Sequence, residues 1–180
     1  MHVTIVSLLF LLLFSPEVTK AADYKFPNKH FTATIRRVHD GDTVTAVSLA
    51  NNKAYQIRLL EIDAPEINPA QPWGKEAQKA LADLVLNKKV HIYYDSVDKY
   101  GRTLGNIVLD NFSGDVNKMI DVNGEMVFTG NAWVYREYPH DKMLEKWESD
   151  AKTQQLGLWS LPNPIYPHMF RENHKKGVKK

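Results

Sequence analysis

Three short clusters in this 180-residue sequence hold side chains able to work on a phosphate. The first is Asp40-Gly41-Asp42-Thr43. The second is Arg58-Leu59-Leu60-Glu61-Ile62-Asp63-Ala64-Pro65-Glu66, and the third is Asp98-Lys99-Tyr100-Gly101-Arg102. Singly, each reads as ordinary architecture: a turn, a solvated strand end broken by Pro65, and a β-turn with a surface arginine. Together they meet the demands of phosphodiester hydrolysis. That reaction passes through a pentacoordinate phosphorane with extra negative charge, so cations must stand where the charge develops. Arg58 and Arg102 are permanently charged planar forks that can hold phosphate oxygens bidentately. Asp42 and Asp63 offer hard oxygen ligands, and a loop carbonyl such as that of Ala64 could add another. Oxygen-only ligation with several waters favours Ca²⁺ ahead of Mg²⁺ or Mn²⁺. Such an ion serves as Lewis acid and as template for an attacking water. Glu66, just beyond Asp63, is a candidate general base for that water.

Strand parity sets a geometric condition on this reading. Arg58 shares a strand face with Leu60 and Ile62, while Asp63 falls on the other face. The two can converge only if the strand bends or bulges near its end, which the Ala64-Pro65 break allows. Other chemistries lack their residues. The seven histidines form no HExxH pair, and neither a GxSxG elbow nor a P-loop occurs. Cysteine is absent, which excludes disulfides, thiolate zinc sites and a cysteine nucleophile.

The elements that must position these clusters follow from periodicity. Residues 31–38 alternate with Phe31, Ala33 and Ile35 on one face, Asp40-Gly41 signals a turn, and residues 43–49 resume a β-branched strand. A turn at Asn51-Asn52 leads into a third strand over 54–62. Ala77, Ala80, Leu81, Leu84 and Val85 then recur at helical spacing, with Asn87 as the stop. Residues 89–95 and 102–109 read as a fourth and a fifth strand, and residues 110–121 as a polar loop. A short helix is expected over 122–129, closed by Gly130. Another is expected over 141–155, with Met143, Leu144, Trp147 and Ala151 inward. The pattern predicts an α+β, mainly β architecture: a five-stranded OB-fold β-barrel with about three helices.

Composition is that of a soluble globular protein, with 43% apolar and 24% charged residues. The net charge of +2 does not by itself announce a nucleic-acid binder. Val3–Phe14 is almost wholly apolar, too short to span a bilayer but suited to the core of a signal peptide. Residues 1–21 are therefore expected to direct export to the periplasm or the medium. Residues 22–30 then form a mature N-terminal extension, 31–160 the barrel domain, and 161–180 a Pro-rich strap with a solvated basic tail.

The motifs DGDT (40–43), RLLEIDAPE (58–66), GKEA (74–77), DKYGR (98–102), VNGEMV followed by AWVY (122–135) and GLWS (157–160) resemble the staphylococcal (micrococcal) nuclease, or thermonuclease, family. The Pro-rich C-terminus is similar to that of its Gram-negative and plasmid-borne members. The resemblance implies Ca²⁺ held by the carboxylates of Asp42 and Asp63 and the carbonyl of Ala64. It implies Arg58 and Arg102 as phosphate and transition-state contacts, Glu66 as general base, and Asp40 behind the metal ligands. Lys99 and Tyr100 would lie beside the bound nucleotide. It further implies cleavage of DNA and RNA with little sequence preference, leaving 3′-phosphate ends, and the chain is expected to be a monomer. The chain departs from many relatives at Ala64, where they have Thr, and at Phe128-Thr129, where they have two basic residues. The founding enzyme's tyrosine pair maps ambiguously onto Trp133-Val134-Tyr135-Arg136. A rival reading exists, because in some multidomain relatives the fold is an inactive nucleic-acid or protein-binding module. Such modules lack the Arg/Glu/Arg set that this chain keeps in Arg58, Glu66 and Arg102.

Overall fold

The computed structural model describes residue 27, residues 29–110 and residues 119–178. The expected signal peptide at 1–21, most of the extension to residue 30, most of the 110–121 loop, and Lys179 and Lys180 lie outside the described residues. The period-two run after residue 28 becomes a meander of β1 (Lys29–Val38), β2 (Thr43–Ser48) and β3 (Ala54–Leu59). Its inward positions Ala33, Ile35, Val44, Ala46, Ile57 and Leu59 are all buried. The third strand stops at Leu59, sooner than alternation suggests. The chain turns at Leu60-Glu61, with Glu61 in the left-handed region (φ 65°), and resumes as the two-residue β4 (Ile62–Asp63).

Helix α1 (Gly74–Val85) buries Ala77, Leu81 and Val85, and Asn87 follows it with φ 60°. Next, β5 (Lys89–Val97) runs antiparallel to β1, and β6 (Thr103–Asp110) returns beside β5. The first residues of β6 also pair in parallel with β3, through Ile57↔Thr103, Arg58↔Leu104 and Leu59↔Gly105. This closes the five-stranded barrel that the sequence predicts. The last residues of β6 pair with β7 (Met119–Asp121), a short strand inside the span expected to be loop.

Two helices then seal the end of the barrel where β3 breaks. Helix α2 (Val122–Phe128) is capped by the Asp121 side chain, which accepts from the Asn123 amide, and buries Val122, Met126 and Val127. The two-residue β8 (Trp133–Val134) pairs antiparallel with β4. Helix α3 (Lys142–Thr153) is capped by Asp141. Met143, expected inward, is 47% exposed, and the buried stripe is instead Leu144, Glu148 and Ala151. Glu148 belongs inside because it ties β8 to the helix. Its Oε1 accepts from the Val134 amide (2.9 Å), and its Oε2 pairs with Arg136 and Lys152 (2.6 Å each). After a 3₁₀ turn at Gly157–Ser160, the end of the expected Pro-rich strap and most of the expected solvated tail fold together into α4 (Pro167–Val178). Proline at its first position suits a helix start, since that residue's N–H would have no intrahelical acceptor.

The Leu60-Glu61 turn is held by tertiary contacts. The Leu60 amide donates to Gly105 O (3.0 Å), and the Tyr135 amide donates to Glu61 O (2.8 Å). Buried Asn123 clamps it: its side-chain amide donates to Leu60 O (3.0 Å) and Gly105 O (3.3 Å), while its Oδ1 accepts from the Ile107 amide (3.1 Å). Asn123→Ala would leave these backbone groups without their partner. We expect it to lower unfolding free energy by about 1–3 kcal/mol, read from the midpoint of a urea titration.

Candidate active site

The site begins with a glycine. A methyl group on Gly41 would lie 2.6 Å from the Cβ of Ala64 and 2.8 Å from that of Ala77, inside any real carbon–carbon contact. Only glycine lets the 40–42 bend lie against both the β4 end and α1. The Asp42 amide donates to Asp40 Oδ1 (3.0 Å), which tightens the bend, and Asp42 O accepts from the Leu59 amide (2.8 Å). The Asp42 carboxylate then faces the end of β4. Its Oδ1 accepts from the Thr43 hydroxyl (2.9 Å) and its Oδ2 from the Ala64 amide (2.8 Å).

Arg58 resolves the parity conflict. Its Nη1 donates to Leu59 O (2.7 Å) and Ile62 O (2.9 Å), so the guanidinium fills the inside of the Leu60-Glu61 turn. Its Nη2 reaches Asp63 Oδ1 (3.0 Å) and Asp42 Oδ2 (3.2 Å). The turn carries Asp63 across to the face that strict alternation denied it, and both aspartates meet one nitrogen. Glu66 is set by a second local lock. Its amide donates to Gln71 Oε1 (3.1 Å), its carbonyl accepts from the Gln71 amide (3.0 Å), and Gly74 packs against its backbone with no room for a side chain. The Glu66 side chain stays 23% exposed at the rim, beside the fully buried Asp63.

Arg102 stands close by without touching this group. The Asp98 side chain organises its turn, with Oδ1 accepting from the amides of Tyr100 and Arg102 (2.9 Å each) and Oδ2 from Arg102 Nε (2.8 Å). Arg58 is opposite Leu104, and Arg102 precedes Leu104 by two positions. Alternation therefore sets Arg102 on the face of Arg58, about 7 Å further along the ladder. Tyr100 is 72% exposed, and the cations of Lys99 and Arg102 lie 5.1 and 5.6 Å from its ring centre. This leaves an open aromatic and basic edge just before β6, the strand that pairs with β3.

Sequence reasoning missed one member of the cluster. Arg171, on α4, places Nη1 3.0 Å from Asp63 Oδ1 and 2.6 Å from Glu66 Oε1, and Nη2 2.9 Å from Asp63 Oδ2. Pro167 is the only local hint, because nothing in a run of charged residues says where a tail helix will dock.

The site carries an electrostatic load. Burial pushes the Asp40 carboxyl up to about 7, aided by the neighbouring charge of Asp42. Burial also raises Asp63, reinforced by Asp42 and opposed by Arg171 and Arg58. Paired buried carboxylates with acids nearby call for a cation, and the Arg171 guanidinium supplies one here. The donor set therefore suits a hard divalent ion. Among the described residues no three His, Cys, Asp or Glu side chains converge as a metal cage. Such an ion would rest on Asp42, Asp63, a backbone carbonyl and water, as Ca²⁺ allows.

Residues 56–161 match the family described as staphylococcal nuclease homologue. The chain is 38% identical over 151 residues to the micrococcal nuclease of Shigella flexneri, covering 82% of this chain and 84% of that protein. It is 35% identical over 144 residues to an uncharacterized endonuclease of Haemophilus influenzae, covering 80% and 75%. It is also 38% identical over 140 residues to an uncharacterized endonuclease of Escherichia coli, covering 78% and 83%.

Gly41→Ala tests the packing that seats Asp42. The added methyl must push the bend off Ala64 and Ala77, at a cost of about 1–3 kcal/mol. A urea-unfolding midpoint equal to wild type would refute this account of the bend.

Proposed function

The chain belongs to the staphylococcal nuclease family, and on that premise we propose that it is a Ca²⁺-dependent, sugar-nonspecific nuclease cutting DNA and RNA to leave 3′-phosphate ends. That it is a hydrolase of the endonuclease kind follows from the family and its relatives. The finer reading rests on one observation above the others: Asp42, Arg58, Asp63 and Glu66 converge at the end of the barrel.

Asp42 and Asp63, with the Ala64 carbonyl, would hold Ca²⁺, which when bound supplies a Lewis acid for a phosphate oxygen. Glu66, at the solvent-reached rim, takes the proton of the attacking water. That role requires its Oε1 to be free of Arg171. Arg58 now uses Nη1 on two carbonyls and Nη2 on two carboxylates, so contact with phosphate through Nη2 requires that nitrogen to leave the aspartates. Arg102, anchored by Asp98, approaches the same phosphate from the neighbouring strand, and its planar fork fits two oxygens at once. Asp40 braces the bend that carries Asp42. The exposed Tyr100 ring and the Lys99 ammonium offer stacking and charge to the nucleotide, with no reading of base edges that would impose sequence preference. The reading includes a monomer exported by residues 1–21 to the periplasm or the medium.

Two measurements on the mature chain test it. Plasmid and RNA cleavage should stop when EGTA removes Ca²⁺ and resume when Ca²⁺ is restored; undiminished cleavage in EGTA would rule out the metal role. Arg58→Lys and Arg102→Lys should each lower kcat about 100-fold or more, the scale on which a preorganised donor to a developing charge acts. Near-normal turnover would remove that arginine from the chemistry.

A further inference from the structure

Arg171 covers the atoms the proposed reaction needs. Its two terminal nitrogens take both oxygens of Asp63, and one of them also takes Glu66 Oε1. A divalent ion on Asp63 and a guanidinium on both Asp63 oxygens compete for the same lone pairs. Glu66 Oε1, 2.6 Å from Arg171 Nη1, is already engaged and is not open to an attacking water. Arg171 also lies outside the family-matched residues 56–161.

The way α4 is attached suits a reversible closure. The strap before it is pinned: Gln71 Nε2 donates to Ile165 O (2.6 Å), the Arg136 amide donates to the Tyr166 hydroxyl (3.0 Å), and the Tyr166 ring lies against Trp133 (5.5 Å between centres). Among the described residues, the second half of α4 is free of broad packing against a strand or another helix. Met169 is exposed, as are residues 173–177. The helix therefore follows a fixed strap, is packed at its first turn through buried Pro167, and reaches the site through the ion-paired Arg171. We propose that α4 is an autoinhibitory latch in which Arg171 blocks Asp63 and Glu66 until a divalent cation displaces it, an opening that a polyanionic nucleic acid then favours. This rests on the reading of Asp63 as a cation ligand. The displaced helix carries Lys175 and Lys176, which the phosphate backbone attracts.

The test uses the full mature chain as wild type, Arg171→Ala and Arg171→Lys. Calorimetric titration with Ca²⁺ and no nucleic acid reads site access without reference to turnover. If the latch is closed nine-tenths of the time, apparent affinity is reduced about 10-fold. Arg171→Ala should therefore bind Ca²⁺ about 10-fold more tightly, with Arg171→Lys between it and wild type. Trypsin cleavage at Lys175 and Lys176 gives a second reading on the unmodified protein. Adding Ca²⁺ should speed it in wild type, and it should already be fast in Arg171→Ala. Equal Ca²⁺ affinities in all three chains would overturn the latch and leave the metal reading standing. If Arg171→Ala bound Ca²⁺ normally and cleaved DNA more slowly, Arg171 would be a phosphate contact and the latch would also fall. If no chain bound Ca²⁺, latch and metal reading would fall together.

Discussion

Arg58 divides its guanidinium among four acceptors contributed by two separate stretches of chain: the carbonyls of Leu59 and Ile62 with the carboxylate of Asp63, and the carboxylate of Asp42. Those bonds make the Leu60-Glu61 turn compatible with a buried aspartate at its far end. A fully buried carboxylate that loses one of its cations stabilises nothing else and costs several kcal/mol, because the penalty for leaving water is no longer offset. The position of Asp63, the pairing of β4 with β8 and the seating of Asp42 therefore depend on the same charged group. The Asn123 clamp and the Glu148 tie to β8 support the turn from behind.

The same cluster explains why the site holds more acid than structure alone requires. Asp40, Asp42, Asp63 and Glu66 lie around Arg58 and Arg171, with Asp40 and Asp63 both raised by burial. Perturbed acids gathered beside one another are a feature of functional sites. One cationic answer to the load is built into the chain through Arg171 of α4, and a divalent ion is the alternative that the donor set suits.

Much of this was legible in the sequence, and the exceptions share a cause. The barrel strands and α1 follow from period-two and period-3.6 patterns, because one face of each element is buried and the pattern records it. The Asp40-Gly41-Asp42 bend was visible as a turn, and the packing against Ala64 and Ala77 explains why its middle residue must be glycine. The Leu60-Glu61 turn was not visible as a turn. Glu61 takes a left-handed conformation with no local glycine or asparagine to announce it, and Gly105, Asn123 and Tyr135 hold it from elsewhere in the chain. Parity still showed that a bend was needed. Met143 and Glu148 exchanged places for a similar reason, since hydrophobicity alone cannot foresee a buried glutamate with three partners. The docking of α4 was hidden because its hold is a long-range ion pair, and ion pairs leave no periodic trace.

The most direct test of the central claim is a double-mutant cycle on unfolding free energy in calcium-free buffer, using wild type, Arg58→Met, Asp63→Asn and the double variant. Each single change leaves the other charge buried with one partner fewer, Asp63 keeping Arg171 and Arg58 keeping Asp42, and the double change removes both. The account predicts a coupling of about 1–3 kcal/mol, with the double variant less damaged than the sum of the singles. Additive effects within about 0.5 kcal/mol would contradict it, because Arg58 and Asp63 would then not act as one unit at the end of the barrel.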